Sequence, residues 1–338
     1  MEAIKQQYTA KDFKSDQTLR WCPGCGDYAI INSMQKVMAE MGVPPHEIAV
    51  ISGIGCSSRL PYYINSYGFH TIHGRGAAVA TGVKVANPNL TVWQITGDGD
   101  CLAIGGNHFI HSVRRNIDIN VLLFNNQIYG LTKGQFSPTS YKGQVTKSSP
   151  YGTIEEPFRP AELTFGARGT FFGRLVDVDL KNAQETIAAA TKHKGTSVVE
   201  CLVNCVIFNN GAHDRLEEKS TRPDRIVFLE HDKPMIYGVN RDKGLILENG
   251  KLKAVKIGEN GITENDILVH NAKDPNPMLQ WELAMMQGPD MPIAMGVIRD
   301  VDAETFNDAM DNQIAQVKTK SKITCFDDLI GSLEQWEI

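Results

Sequence analysis

A chain of 338 residues, 42% hydrophobic and 22% charged, has material for one large α/β domain or two ordinary ones, with enough apolar side chains for a packed core. Its formal charge of −5 gives no whole-chain signal for nucleic-acid binding, and no run reaches membrane-spanning length. The first residues lack the apolar core of a signal peptide, so a cytoplasmic location is expected.

Residues 1–18 are polar and aperiodic and read as an arm lying on a partner or around the domain. Arg20-Trp21-Cys22-Pro23-Gly24-Cys25-Gly26 then sets two thiols on a tight turn that feeds a helix over 27–41. Its apolar side carries Ile30, Ile31, Met34, Val37, Met38 and Met41, and Gly42 with Pro44-Pro45 ends it. A strand over 48–51 leads into Gly53-Ile54-Gly55-Cys56-Ser57-Ser58, a glycine turn with a third thiol. Three thiols on turns at successive β-α junctions could meet at one rim of a sheet. The segment 71–84 reads as a buried glycine- and alanine-rich helix, whose small residues also permit close approach to a ligand that His73 and Arg75 could contact.

The run 90–96, then Gly97-Asp98-Gly99-Asp100, a helix-length segment, the run 119–124 and Asn125-Asn126 describe a β-α-β unit with parallel strands. Parallel strands bring Asp98 and Asn126 together at their carboxyl ends, where open α/β sheets bind ligands. A carboxylate and an amide carbonyl are hard oxygen donors that suit magnesium, which bridges to ligand phosphates. Gly-Asp-Gly alone is an ordinary tight turn. With the asparagine pair after the next strand, it reads as a diphosphate site held through a metal.

Residues 129–153 form a long loop rich in Gly, Ser, Thr, Pro and Lys, expected to act as a lid or entrance beside that site. A helix near 160–166, a strand over 174–178, a helix over 182–193 and a strand over 197–203, followed by Cys205, continue the parallel sheet. Beyond about residue 209 the character changes: 243–258 alternates like a hairpin around Asn249-Gly250, and a helix over 303–318 carries Phe306, Met310, Ile314 and Val317 on one packing or interface face. The expected organisation is an arm (1–18), a cofactor-binding domain (19–210) and a structural or partner-binding C-terminal extension (211–338).

The chain has seven cysteines, an odd number that argues against a disulfide framework. Cys22-Pro23-Gly24-Cys25 fits a redox pair, half of a zinc site or half of an iron-sulfur site. A redox pair has no need of Cys56, and structural zinc usually takes a second close pair; the spacing alone leaves all three open.

Gly97-Asp98-Gly99 with Asn125-Asn126 resembles the thiamine-diphosphate motif. The stretches 97–111 and 125–139 resemble the β subunit of 2-oxoacid:ferredoxin oxidoreductases, a likeness running from about residue 19 to 208. The resemblance implies a doubly wound, mostly parallel α/β sheet of the pyrophosphate-domain type. It implies Mg2+ held by Asp98, Asn126 and the Ile128 carbonyl. Contacts to thiamine diphosphate would come from Gly55, Cys56, Ser57, His73, Gly74, Arg75, Gly97, Gly99, Asp100, Gly130, Leu131 and Thr132. Lys133, with Thr132 beside it, would meet the substrate carboxylate. A [4Fe-4S] cluster would sit on Cys22, Cys25, Cys56 and Cys205, with Cys201 an inert strand thiol and Cys101 a packing residue or a thiol close to the diphosphate, without a catalytic role.

The reaction so implied is coenzyme A-dependent oxidative decarboxylation of a 2-oxoacid to acyl-CoA and CO2, or the reverse carboxylation, with 2-oxoglutarate favoured over pyruvate and ferredoxin carrying the electrons. Thiamine enzymes also need a glutamate that this family supplies from another domain or subunit. An α subunit, an (αβ)2 heterotetramer and inactivity of the isolated chain follow. The competing expectations are another 2-oxoacid specificity, a non-oxidative thiamine decarboxylase or synthase without a cluster, and a zinc-stabilised scaffold without catalysis.

Overall fold

The computed structural model describes residues 7–331 and Glu334; residues 1–6 of the expected arm lie outside the described residues. Eleven strands are described: β1 (Ile48–Ser52), β2 (Tyr67–His70), β3 (Thr91–Gly97), β4 (Asn120–Asn125), β5 (Phe171–Val176), β6 (Ser197–Leu202), β7 (Ile226–Leu229), β8 (Ile236–Tyr237), β9 (Lys243–Glu248), β10 (Lys251–Lys256) and β11 (Ile293–Asp300). The helices are α1 (Asp27–Met41), α2 (Gly76–Ala86), α3 (Asp98–Leu102), α4 (Gly106–Arg114), α5 (Pro160–Gly166), α6 (Leu180–Lys192), α7 (Asp214–Glu217), α8 (Met278–Met285), α9 (Phe306–Lys320) and α10 (Phe326–Gly331). Eight strands form one sheet in the order β2-β1-β3-β4-β6-β5-β11-β7, and β10-β9-β8 form a small antiparallel sheet. The large sheet is parallel except where β11 meets β5.

Both faces of the central strands are covered, which is why β1, β3, β4 and β6 read as largely apolar runs. Side chains alternate between two cores. Val92, Val121, Leu123 and Val198 face one that includes Ala80, Phe109, Ala161 and Leu283 from α2, α4, α5 and α8. Trp93, Ile95, Leu122, Phe124 and Val199 face the other, with Ile30, Met34 and Met38 of α1 and Ala183 and Ile187 of α6. Phe13 of the arm is fully buried in this second core. α1 ends where Gly42 turns left-handed at φ 66° and returns its N–H to the Ala39 carbonyl.

Several elements depart from the sequence expectation. The segment between β3 and β4 is two helices, because Ala103 leaves helical geometry at φ −84° and ψ −107°, and a Cβ on Gly105 just beyond would crowd the Asp100 carbonyl oxygen. β5 starts at Phe171 instead of residue 174. β2, β7, α8 and β11 carry no clear periodic signature. β2 is an exposed edge of four residues. β11 holds Gly296 at φ 83° and a register shift between Val297 and Arg299, so its alternation is broken. β7 and β11 lie beyond residue 210 yet complete the large sheet. The hairpin β9–β10 is present, and α9 packs Phe306 on the first core while Ile314 and Val317 stay exposed.

Candidate functional site

The chain leaves β1 toward β2 on one side and returns to β3 on the other, so their carboxyl ends open a crevice at a topological switch point. β3 and β4 are parallel with Gly97 opposite Phe124. That register sets the turns starting at Asp98 and Asn125 side by side. A cleft there is lined by Ile54, Gly55, Cys56 and Ser57 after β1, Gly97, Asp98, Gly99 and Asp100 after β3, and Asn126, Ile128, Tyr129, Gly130, Leu131 and Thr132 after β4, with Asp27 and His73. Gly74, Arg75 and Lys133 stand outside this lining.

Asp98 is 3% exposed, and its Oδ2 accepts hydrogen bonds from Ser137 Oγ (2.6 Å) and Thr139 Oγ1 (2.5 Å). Burial pushes its pKa above the usual carboxylate range against the pull of those hydroxyls. A cation alongside would restore the charged form. Asp100 has a different position: Oδ1 accepts from the backbone N–H groups of Ile54 (2.9 Å) and Gly74 (2.7 Å), and Oδ2 from Thr96 Oγ1 (2.8 Å). It ties three loops together beneath the cleft. His73 Nε2 lies 3.8 Å from the same Oδ1.

Asn126 turns its Oδ1 to the N–H of Ile128 at 3.1 Å, and Gln127 between them is left-handed at φ 56°. Beyond it, 129–135 closes on itself: Tyr129 and Gln135 pair, and Lys133 donates its backbone N–H to the Gly130 carbonyl. Tyr129 Oη donates to the Gly99 carbonyl at 3.0 Å, and a Cβ on Gly99 would stand 2.2 Å from the Tyr129 ring, so only glycine fits. Lys133 is exposed at φ 76°.

Four thiols gather beside this cleft, Cys56 close enough to feel the charges of Cys22 and Cys205, and Cys25 those of Cys56 and Cys205. A Cβ on Gly130 would point to within 3.5 Å of Cys205 Sγ and 3.6 Å of Cys56 Sγ. The Cys22–Cys25 turn is joined to Cys205's loop by the Gly26 N–H to Asn204 carbonyl bond (3.3 Å) and to Cys56 by Trp21 Nε1, which donates to the Cys56 carbonyl at 2.7 Å. Burial raises the Cys25 and Cys56 thiols, Cys56 to about 12, and Asp27 and the neighbouring cysteines raise them further. Thiols so placed are inert unless a metal supplies positive charge, which deprotonates a coordinating thiol outright. Among the described residues no three His, Cys, Asp or Glu side chains are grouped as a single ion would need them. Cys201 lies within β6 and is fully buried.

Sequence reasoning missed Asp27, Ser137, Thr139 and Tyr129. Asp27 is 2% exposed, its Oδ2 has no hydrogen-bond partner, and burial followed by the charge of Asp177 raises its pKa to about 7, with a Cys25 hydrogen bond pulling the other way. The signal for Ser137 and Thr139 was present as the hydroxyl cluster Ser137-Pro138-Thr139-Ser140.

Residues 53–201 match the family described as thiamine pyrophosphate enzyme, C-terminal TPP binding domain. The 2-oxoglutarate oxidoreductase subunit KorB of Mycobacterium tuberculosis is 42% identical over 336 residues, 98% of this chain and 89% of that protein. The 2-oxoacid:ferredoxin oxidoreductase 1 subunit beta of Aeropyrum pernix is 42% identical over 242 residues, 71% of this chain and 73% of its own length. Among solved structures, a 2-oxoglutarate:ferredoxin oxidoreductase from Magnetococcus marinus, with 2-oxoglutarate, coenzyme A and succinyl-CoA bound, superposes with a TM-score of 0.78 at 30% identity, covering 98% of this chain and 97% of that one.

Proposed function

The chain belongs to the β subunits of the 2-oxoacid:ferredoxin oxidoreductases, and from that membership we propose that it is the thiamine-diphosphate-binding half of a coenzyme A-dependent 2-oxoglutarate:ferredoxin oxidoreductase. Asp98, Asn126 and the Ile128 carbonyl would hold Mg2+ on the diphosphate; their hard oxygen donors line one cleft. Cys22, Cys25, Cys56 and Cys205 would hold a [4Fe-4S] cluster. Thiamine diphosphate, when bound, supplies the electron sink that lets a 2-oxoacid lose CO2.

What this chain adds is position and charge. Asp100 clamps the loops that border the cofactor, Tyr129 fixes the loop that ends the cleft, and Lys133 on that loop neutralises the substrate carboxylate. The observation that carries the redox reading is a shared wall: Cys56 and Gly130 both line the cleft, and Gly130 faces the sulfurs of Cys56 and Cys205. A cluster held by these thiols would lie against the wall of the cofactor cleft and would supply the one-electron acceptor the oxidative reaction needs. An α subunit supplies the remaining catalytic groups in an (αβ)2 assembly.

The test is anaerobic co-purification with the α subunit, metal analysis, and a coenzyme A-dependent assay over several 2-oxoacids. About four iron and four sulfide per chain are expected, with turnover fastest on 2-oxoglutarate. Stoichiometric zinc without sulfide, or turnover by this chain alone, would sink the assignment.

A further inference from the structure

Asn125 precedes the proposed magnesium ligand Asn126 and points the other way. Its Nδ2 donates to Glu200 Oε1 at 2.8 Å, and its Oδ1 lies 2.9 Å from Thr139 Oγ1, whose single proton is shared between Asn125 Oδ1 and the nearer Asp98 Oδ2. The orientation of the amide is set by Glu200, because a carboxylate held by Arg174 can only accept and so takes the amide N–H. Glu200 is held in turn by Arg174 Nε at 2.7 Å, and the guanidinium is fixed by the carbonyls of Ala284 on α8 (3.0 Å) and Ala294 on β11 (3.3 Å). At the other end, Thr139 Oγ1 stands 2.5 Å from Asp98 Oδ2. Asp98, Asn125, Thr139, Glu200 and Arg174 are each less than 8% exposed.

Such a line of buried polar groups is weak support for stability, since apolar replacements of similar shape often serve as well. It does fix direction. We infer that Asn125 and Thr139, braced by the Glu200–Arg174 pair, are positioning residues that aim the Asp98 carboxylate at the cation of the diphosphate site. This rests on the reading that Asp98 holds that cation. It also gives α8 and β11, remote in sequence, a route to the cofactor cleft.

The test uses the complex of this chain with its α subunit, freed of magnesium, and follows Mn2+ uptake with thiamine diphosphate by the electron spin resonance of free Mn2+. Thr139→Val and Asn125→Leu are expected to weaken Mn2+ binding by about 10- to 100-fold, the usual effect of removing a group that orients a metal ligand. Thr139→Ser, which keeps the hydroxyl, should restore the affinity to within about threefold of the unaltered complex on the same scale. A residue that only stabilises the fold would shift the melting temperature and leave Mn2+ affinity alone.

Should Asn125→Leu fail to fold, the Val and Ser variants of Thr139 decide by themselves: equal Mn2+ affinity in both overturns the proposal. Arg174→Met combined with Glu200→Leu removes the ion pair without stranding a charge, and unchanged affinity there overturns the role given to the pair. Asp98→Ala and the unaltered complex separate the two levels. No Mn2+ uptake by the unaltered complex brings down the reading of Asp98 and this inference with it, whereas normal uptake with insensitive Thr139 and Asn125 variants removes this inference alone.

Discussion

Lys133 sits at φ 76°, followed by Gly134 at φ 96°. The left-handed region costs a residue with a Cβ roughly 1–2 kcal/mol, and such strain gathers where a side chain is needed. Replacing Lys133 by glycine should therefore leave the melting temperature unchanged or raise it, while KM for the 2-oxoacid rises at least about tenfold through loss of the ammonium. Steady-state kinetics and thermal unfolding of the same complex check both halves. The thiols make a second contrast. Cys205 stands with Cys56 around Gly130, whereas Cys201 is fully buried in β6. Cys205→Ala should lose the broad visible absorption of the anaerobic protein, and Cys201→Ala should keep it, read by absorption before and after dithionite.

Helix α2 shows how an element is pinned to the sheet. Lys84 is 6% exposed, donates to the Leu90 carbonyl at 2.9 Å and pairs with Asp118 at 2.9 Å, just before β4. Burial alone would raise Asp118; the Lys84 ammonium overrides it, so the carboxyl lies below its ordinary value. A depressed carboxylate contributes stability that is present above its unfolded pKa of about 3.9 and lost as pH falls through the folded value. Lys84→Met should cost about 1–3 kcal/mol at pH 7, with the deficit shrinking as pH drops below about 4 on that same carboxylate scale. Denaturant melts at the two pH values measure it. The strands and helices most legible in sequence, α1, β1, β3, β4, α6 and β6, are those whose burial is regular along their length. β2, with three exposed residues of four, and β11, with a left-handed glycine and a shifted register, offer no such regularity.

Across the whole molecule, the change of sequence character near residue 210 is not a break in the sheet. β11 pairs with β5 and β7 pairs with β11, so the last part of the chain completes the layer that carries the cleft. Ending the chain after residue 210 would expose the β5 edge and strip the buried Arg174 guanidinium of its Ala284 and Ala294 acceptors. The truncated protein is expected to be aggregated or unfolded on expression; a soluble, cooperatively melting 1–210 fragment would show the two regions to be independent. Among the described residues no helix is long and apolar enough to cross a membrane.

The sequence by itself determined what is local. Two apolar runs with a helical segment between them make parallel neighbours, Gly97-Asp98-Gly99 and Asn125-Asn126 supply oxygen donors on their turns, and the Cys22–Cys25 spacing puts two thiols on one bend. These follow from periods of a few residues and from the chemistry of single side chains. Only the tertiary structure decided that Cys56 and Cys205, 149 positions apart, border one glycine, that Asp100 braces loops beneath the cleft, and that Asn125 faces Thr139 and Glu200 while Asn126 faces Ile128. Those outcomes depend on strand order and register, and they arise from packing two cores against one sheet, which no short window of sequence contains.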